Sequence, residues 1–364
     1  MNIKSLLLGS AAILVAATTA QAADAIVVEP EPVEYVRVCD TYGSGFFYLP
    51  GTETCMRISG YIRSTYDHYK ENQGGVEGED HASWTYRGRL NIDVRNETDW
   101  GTLRSQLRLQ GGDAGASGDA NVGVDRALIS VAGFRVGYSD TFWTTTGHYG
   151  QGPAINDGFF NYDQALFVDY TYAADGFSLT GGFQDTSGTV RDSETPDYYV
   201  GVGYAGSWGW FSATYIYDQS AVDVVSGNVG GDAWKVAAEL QNIGDSGWNF
   251  GGWYQADGDS GTSYVTAGFL GASANSALVE SEWGIQANGK LTDNLVGYAL
   301  YTAADAVSSS TTYNDTKGYS VGLVWTPISG LSVQGEYYSY ESDYVLDADD
   351  YEKDGFIVRI TRSW

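Results

Sequence analysis

The sequence has few basic residues, almost no proline and no long apolar segment in its main part. Lys and Arg number 19 against 46 Asp and Glu, a formal net charge of −27, so the basic surface that nucleic-acid binding requires is missing. Beyond the first 22 residues no stretch approaches 18 consecutive apolar residues, which excludes a helical membrane span. With 48 Gly, 28 Tyr and only 6 Pro, the composition instead favours many short strands joined by turns.

The first 22 residues are typical of a secretory signal peptide. They combine a charged start at Lys4, a short apolar run and the small-x-small site Ala20-Gln21-Ala22. The apolar run is too short to span a bilayer as a helix. Cleavage after Ala22 leaves 342 residues, and the loss of Lys4 takes the net charge to −28. The predicted organisation is a signal peptide at 1–22, an N-terminal leader and disulfide loop at 23–55, and a β-barrel at 56–364.

Strict alternation of polar and apolar residues begins after the second cysteine and continues to the C-terminus. The clearest segments are Arg57–Asp67, Trp84–Arg95 and Thr102–Gln110, each about 9 to 12 residues long, the length of a tilted strand that crosses a bilayer. Sixteen such segments are predicted, and short connections alternate with long ones. The fold class is therefore all-β, a transmembrane antiparallel barrel with short periplasmic turns and long external loops. A soluble β-sandwich or propeller is disfavoured because the polar faces carry Arg, Gln and Glu rather than a second apolar core.

The third long connection lies between the predicted strands Arg135–Ser139 and Ala165–Tyr172. It contains about 25 residues and mixes large rings such as Trp143 with acidic side chains. An exposed loop gains little from so many rings, so we expect this connection to fold into the barrel and narrow it.

The arginines are concentrated on the polar face of the first strands. Nine of the 13 Arg fall between Arg57 and Arg135. A cation facing lipid at the bilayer midplane costs about 2–4 kcal/mol, so these side chains are predicted to face the pore. We expect a basic wall opposite an acidic third loop, which would create a transverse field across a constriction. The alternative is that the arginines only pair with Asp67 and Asp93 as wall structure. The predicted basic residues are Arg57, Arg63, Arg87, Arg89, Arg104 and Arg108, and the acidic ones are Asp140, Asp157, Asp163 and Asp169.

Two cysteines in an exported chain, Cys39 and Cys55, are most simply one disulfide. It would close a 17-residue loop, which the chain-entropy argument values at roughly 3 kcal/mol. A reactive thiol pair or a metal site is the alternative, but no neighbouring His or third Cys supports a metal site.

Motifs for catalysis or cofactor binding are weak. The three histidines are His68, His81 and His148, and the nearby Ser139 and Asp140 form no recognisable nucleophile motif. The glycines of Gly201-Val-Gly-Tyr-Ala-Gly206 precede another strand rather than the helix that a dinucleotide site needs. We therefore predict no enzyme activity, no cofactor and no metal site.

Residues 36–63, which include Cys-Asp-Thr-Tyr-Gly-Ser-Gly-Phe-Phe-Tyr-Leu-Pro-Gly-Thr-Glu-Thr-Cys55, closely resemble the start of the alphaproteobacterial porins found in rhizobia and brucellae. Gly133-Phe-Arg-Val-Gly137 and the aromatic-ended C-terminus are similar too, although Trp364 stands where Phe is commoner. The resemblance implies a 16-stranded general-diffusion porin of the outer membrane, usually trimeric, with its third external loop folded inward.

The predicted function is passive diffusion of small hydrophilic solutes and ions through a water-filled pore. A channel selective for sugars is one alternative, for which Trp253, Tyr338 and Tyr340 are a small candidate track. A structural or adhesive surface barrel with a plugged lumen is another. Acids in the long loops favour a weak cation preference and suggest divalent-cation bridging to lipopolysaccharide.

Overall fold

The period-2 pattern folds into one large antiparallel β-sheet. The computed structural model of the chain describes residues 37–112, 121–146, 152–155, 164–185, 196–222, 229–257, 264–265, 279–306, 313–344 and 350–364. The strands are β1 (Phe47–Tyr48), β2 (Cys55–Gln73), β3 (Val76–Thr98), β4 (Gly101–Gly112), β5 (Gly123–Val131), β6 (Phe134–Asp140), β7 (Gln164–Ala174), β8 (Phe177–Asp185), β9 (Asp197–Gly206), β10 (Gly209–Val222), β11 (Val229–Leu240), β12 (Trp248–Asp257), β13 (Val279–Thr292), β14 (Leu295–Ala306), β15 (Tyr313–Ile328), β16 (Leu331–Tyr344) and β17 (Tyr351–Ser363).

Strands β2 to β17 form a closed barrel of 16 strands, as predicted. Each pairs antiparallel with its sequence neighbours, and β17 pairs with β2 from Tyr351↔Gln73 to Ser363↔Tyr61. The backbone of Trp364 completes the closure, because it exchanges two hydrogen bonds of 3.1 Å with Gly60. Closure leaves no unpaired edge, which is the condition for a sheet to span a membrane.

The two faces of the barrel differ in chemistry. Large apolar side chains on the outward face are exposed, for example Ile62 at 61% and Leu166 at 62%. The inward face carries buried polar groups, among them Gln255 and Glu282, which are fully buried. Aromatic rings contact each other on the outward face at the short-turn end, as in the Phe134–Tyr170 pair, whose centroids lie 4.7 Å apart. This is the arrangement of a lipid-facing surface with an aromatic girdle.

The sequence predicts the first long loop at Tyr69–Ser83, and the structure contradicts this prediction. Strands β2 and β3 continue through it, with cross-strand pairs up to Gln73↔Val76. Gly74 and Gly75 form the turn with φ angles of 59° and 71°, which glycine adopts without steric cost. The extension is polar on both faces, so the apolar alternation that identified the other strands is absent there.

Helical structure is confined to short segments among the described residues. They are α1 (Phe142–Thr145) and two 3₁₀ turns, Asp40–Tyr42 and Ile243–Asp245. In the part of the chain that the structure describes, no helix is long and apolar enough to cross a membrane.

Candidate pore lining

The inward arginines form a basic wall on β2 to β6. Direct cross-strand pairs place arginine next to arginine, as in Arg63↔Arg87, Arg95↔Arg104 and Arg108↔Arg126. Like charges directly opposite each other destabilise a sheet, so the wall requires compensating groups. Carboxylates among the arginines provide this compensation.

Asp93 is the carboxylate that binds the arginines nearest the short-turn end. It is 4% exposed and accepts paired hydrogen bonds from Arg95 and from Arg104, with Nη2–Oδ2 distances of 2.7 Å in both cases. The Nη2 of Arg57 lies 3.8 Å from the same oxygen. One buried carboxylate therefore fixes two guanidinium groups in position and attracts a third.

Asp125 and Asp140 bind the arginines further along the wall. Arg108 Nη1 lies 3.0 Å from Asp125 and 3.6 Å from Asp140. Arg126 donates to Asp140 Oδ2 at 2.8 Å, and Arg89 lies 3.8 Å from Asp125. These bidentate or bridged contacts give the guanidinium groups fixed orientations.

The structure places the predicted acidic residues beside the arginines where it describes them. Asp140 ends β6 next to Arg126, and Asp169 on β7 accepts from Arg135 Nε at 2.9 Å and from the hydroxyl of Tyr199 at 2.9 Å. Both carboxylates are therefore part of the basic wall and do not lie across the lumen from it. Asp157 and Asp163 lie outside the described residues.

A second set of carboxylates, which the sequence reasoning missed, points inward from β11 to β16. Glu239 lies on β11, Glu282 on β13 and Glu336 on β16, and each is at most 3% exposed. Glu282 accepts hydrogen bonds from the indole N–H of Trp253 and from Thr302 Oγ1, both at 3.2 Å. The alternation around these residues would have placed them on the inward face. The sheet therefore carries clustered arginines on β2 to β6 and buried carboxylates on β11, β13 and β16. Strands β11 and β13 lie far from the arginines in the ring, whereas only β17 separates β16 from β2.

The segment after β6 begins with α1. The side chain of Thr141 caps this turn by accepting from the backbone N–H of Thr144 at 3.1 Å. Phe142 stacks on Tyr199 with ring centroids 4.5 Å apart. Trp143 is 1% exposed, and its carbonyl accepts a hydrogen bond from the ammonium of Lys235 on β11, which also lies 4.6 Å from its ring centroid.

The same segment also contacts β16. The backbone N–H of Ile155 donates to Glu336 Oε2 at 2.6 Å, and the carbonyl of Pro153 accepts from the side-chain amide of Gln334. Gln334 and Glu336 occupy the inward face of β16. A connection that starts at β6 thus contacts inward side chains on two distant strands.

The predicted disulfide between Cys39 and Cys55 is confirmed, with the two Cα atoms 6.1 Å apart. It closes a small knob, residues 38–55, whose buried core contains both cysteines and Phe46. The ring of Phe46 lies 4.8 Å from the guanidinium of Arg57 and 4.9 Å from that of Arg95, both on the inward face. The hydroxyl of Tyr42 donates to Glu97 at 2.8 Å. Burial is the larger cause and this hydrogen bond the smaller one by which the pKa of Tyr42 is raised to about 12.

The residues that suggested catalysis are not brought together among those described. His68 stacks on Phe356 and His81 stacks on Tyr69. Ser139 Oγ accepts from Arg126 Nε at 2.9 Å, a contact with a cation rather than with a general base. His148 lies outside the described residues, and the described ones contain no cluster of His, Cys, Asp and Glu that could hold a metal ion.

A closed 16-stranded barrel with an apolar outside and charged residues inside defines an outer-membrane channel protein. Residues 24–356 match the family described as the Porin subfamily, and the chain belongs to that family. Porin Omp2b of Brucella canis is 40% identical over 259 residues, which cover 64% of this chain and 70% of that protein. Porin Omp2b of Brucella melitensis is 39% identical over the same coverage. The predicted alphaproteobacterial porin resemblance is therefore confirmed.

Solved structures share the fold. The outer-membrane channel DcaP of Acinetobacter baumannii matches with a TM-score of 0.67 and 12% identity, over 87% of this chain and 99% of that one. The anion-selective porin from Comamonas acidovorans matches with a TM-score of 0.59 and 15% identity, over 86% and 100%. Identities this low support the barrel architecture alone.

Proposed function

We propose that the protein is a general-diffusion porin, a passive water-filled channel for small hydrophilic solutes and ions across the outer membrane. The observation that carries this proposal is the contact of Trp143 with Lys235 on β11 and of Ile155 with Glu336 on β16, both inward side chains. A pore narrowed by such a segment selects solutes by size and charge and needs no catalytic group.

The third long connection folds into the lumen in this proposal. Lys235 and Glu336 both point inward, on strands that are far from β6 in the ring. A route around the outside would bring the segment against lipid-facing side chains instead. Contacts with two inward side chains on such distant strands support a path through the interior. Asp157 and Asp163 of the same connection are proposed to add negative charge to the constriction.

Charge at the constriction acts on passing ions through two regions of opposite sign. Arg89, Arg108 and Arg126 lie on one side, and Glu239 and Glu282 lie on strands across the ring, while Glu336 on β16 lies two strands from β2. Arg57, Arg63, Arg87 and Arg104 extend the basic side along the pore. Fixed charges of this kind polarise the water and steer ions by sign.

A sugar-selective channel is less well supported. Such a channel needs exposed aromatic faces along the pore, whereas Trp253, Tyr338 and Tyr340 are 5%, 2% and 7% exposed. Tyr338 and Tyr340 stack on each other at 5.9 Å, so those faces are already covered. The burial supports the diffusion proposal over this alternative.

Two assays test the proposed function. In planar bilayers the protein should give steady ohmic currents, whereas a plugged structural barrel passes none. In liposomes the flux of small sugars and amino acids should rise linearly with concentration and fall steeply with solute size. Saturable sugar flux would replace the proposal with the selective channel.

We also propose that the protein is exported through cleavage after Ala22 and assembles as a homotrimer. The strands from β5 to β8 are short, with 9, 7, 11 and 9 residues against 19 and 23 in β2 and β3, and we propose that a neighbouring subunit covers this low side. Outer-membrane extracts should give a band of about three times the monomer mass before heating. N-terminal sequencing should start at Ala23. Acids in the outer loops are proposed to bind lipopolysaccharide through divalent cations, so a chelator should weaken that association.

A further inference from the structure

We propose that the connection between β12 and β13 latches the pore-narrowing segment in place through the side chain of Tyr264, which acts as a positioning residue for the constriction. This inference rests on the proposed function, because it presumes that residues 142–155 narrow the lumen. Tyr264 and Val265 are the residues of this connection that the structure describes. Each is only 1% exposed, although they belong to a long connection between strands.

The Tyr264 hydroxyl is held by two side chains of the barrel wall. It donates to the carboxylate of Asp197 on β9 and accepts from the amide Nε2 of Gln184 on β8 at 2.8 Å. Burial, reinforced by Asp197, raises the pKa of Tyr264, so the hydroxyl keeps its proton and remains a donor. The connection is thereby attached to the wall at one defined point.

The Tyr264 ring contacts the pore-narrowing segment itself. Its centroid lies 6.0 Å from that of Trp143, and both belong to one buried cluster with Tyr199 and Ile216. Trp143 thus has the ammonium of Lys235 near its ring and Tyr264 beside it. The indole N–H of Trp143 is buried and has no acceptor among the described residues, which disfavours this position. The position therefore depends on its two neighbours.

Gln184 couples the latch to the start of α1. Its amide oxygen accepts from the backbone N–H of Phe142 at 3.3 Å, while its amide nitrogen donates to Tyr264. One side chain therefore connects the first residue of the narrowing turn, the wall and the second connection. Loss of the Tyr264 hydroxyl removes both of its hydrogen bonds and frees Gln184 to rotate. Two lost hydrogen bonds should raise the population of a displaced segment about tenfold or more.

The test uses Thr145→Cys as a reporter, because Thr145 is exposed on α1 and the two natural cysteines are bonded to each other. The reporter is combined with Tyr264→Phe or with the control Tyr338→Phe. The control removes a similar buried tyrosine hydroxyl, which donates to Asp67 at 3.0 Å on another part of the wall. Single-channel currents are recorded before and after labelling with a charged thiol reagent.

Labelling should reduce the current in the reporter protein and in its combinations with Tyr264→Phe and with Tyr338→Phe. Of the three proteins, only the one that carries Tyr264→Phe should show an increase in brief current fluctuations, of about tenfold. If labelling reduces the current but the fluctuations of Tyr264→Phe match those of the control, the latch is wrong and the proposed function stands. If labelling leaves the current unchanged in every protein, the proposed function fails and the latch fails with it. Gln184→Met, which removes the same coupling at similar size, is measured in the same way and must agree with Tyr264→Phe.

Discussion

Neutralising the basic wall should shift the ion selectivity of the pore toward cations. The variant replaces Arg89, Arg108 and Arg126 by Gln, which removes three charges. Glutamine keeps an amide donor near Asp125 and Asp140, so those buried carboxylates retain a hydrogen-bonding neighbour. The change therefore acts mainly on the charge and only slightly on the fold.

The magnitude follows from the position of the charges at the pore wall. A unit charge about 6 Å from a passing ion contributes about 0.7 kcal/mol in water, which screening at 0.1 M salt reduces to about 0.4 kcal/mol. Three charges together contribute about 1.2 kcal/mol, or about a 7-fold change in the local concentration of a monovalent ion. The change has opposite sign for cations and anions, so the permeability ratio should rise by at least this factor.

The assay is the reversal potential across a planar bilayer with a KCl gradient. Arg362→Gln is the matched control, because Arg362 is exposed at the short-turn end of β17 and donates only to the carbonyl of Ser329 among the described residues. The control should keep the reversal potential of the natural protein. An unchanged reversal potential in the triple variant, with a normal barrel fold, would refute the assignment of these arginines to the pore.

Three further predictions concern the knob and the pore-narrowing segment. Replacing both Cys39 and Cys55 by Ser should destabilise the knob by roughly 3 kcal/mol without opening the barrel, which limited proteolysis and heat-modifiable gel mobility would detect. Because the folded pKa of Tyr42 is about 12, above its ordinary value of 10.0, its stabilising contribution is complete below pH 10 and is lost as the pH rises through 12. In an absorbance titration, Tyr42→Phe should lose one tyrosine that ionises near pH 12. Glu336→Ala should remove the hydrogen bond to the half-buried N–H of Ile155, at a cost of about 1 kcal/mol. The mean conductance should then increase, and an unchanged conductance would argue against anchoring at this residue.

The barrel could be predicted from the sequence because its physical signature is local. A strand with lipid on one side and water on the other must alternate with period 2, as Arg57–Asp67 and Trp84–Arg95 do. The disulfide followed from the compartment and the count of two cysteines. The polar end of the first hairpin was missed because strands that project into water carry no such alternation, and only Gly74-Gly75 indicated a turn.

The partners of the charged residues could not be predicted in the same way. Asp140 and Asp169 are close to Arg126 and Arg135 because of the strand register, which alternation alone does not give. The role of Glu336 depends on its hydrogen bond with Ile155, which lies 181 positions earlier in the sequence. Contacts of this range are decided by tertiary packing, so their residue types were visible in the sequence but their pairing was not.

The two interpretations of the arginines, as wall structure and as field-forming groups, are compatible. Arg95 and Arg104 face each other across two strands, and such a pair would repel without the buried carboxylate of Asp93 between them. Each guanidinium held in this way has a fixed orientation, and because the arginines outnumber the carboxylates of the wall, positive charge remains. A charge that is already held in place acts on a passing ion without reorganisation, whereas a free side chain would have to be ordered first. The ion pairs that stabilise the wall are therefore also what fixes its surplus charge along the pore.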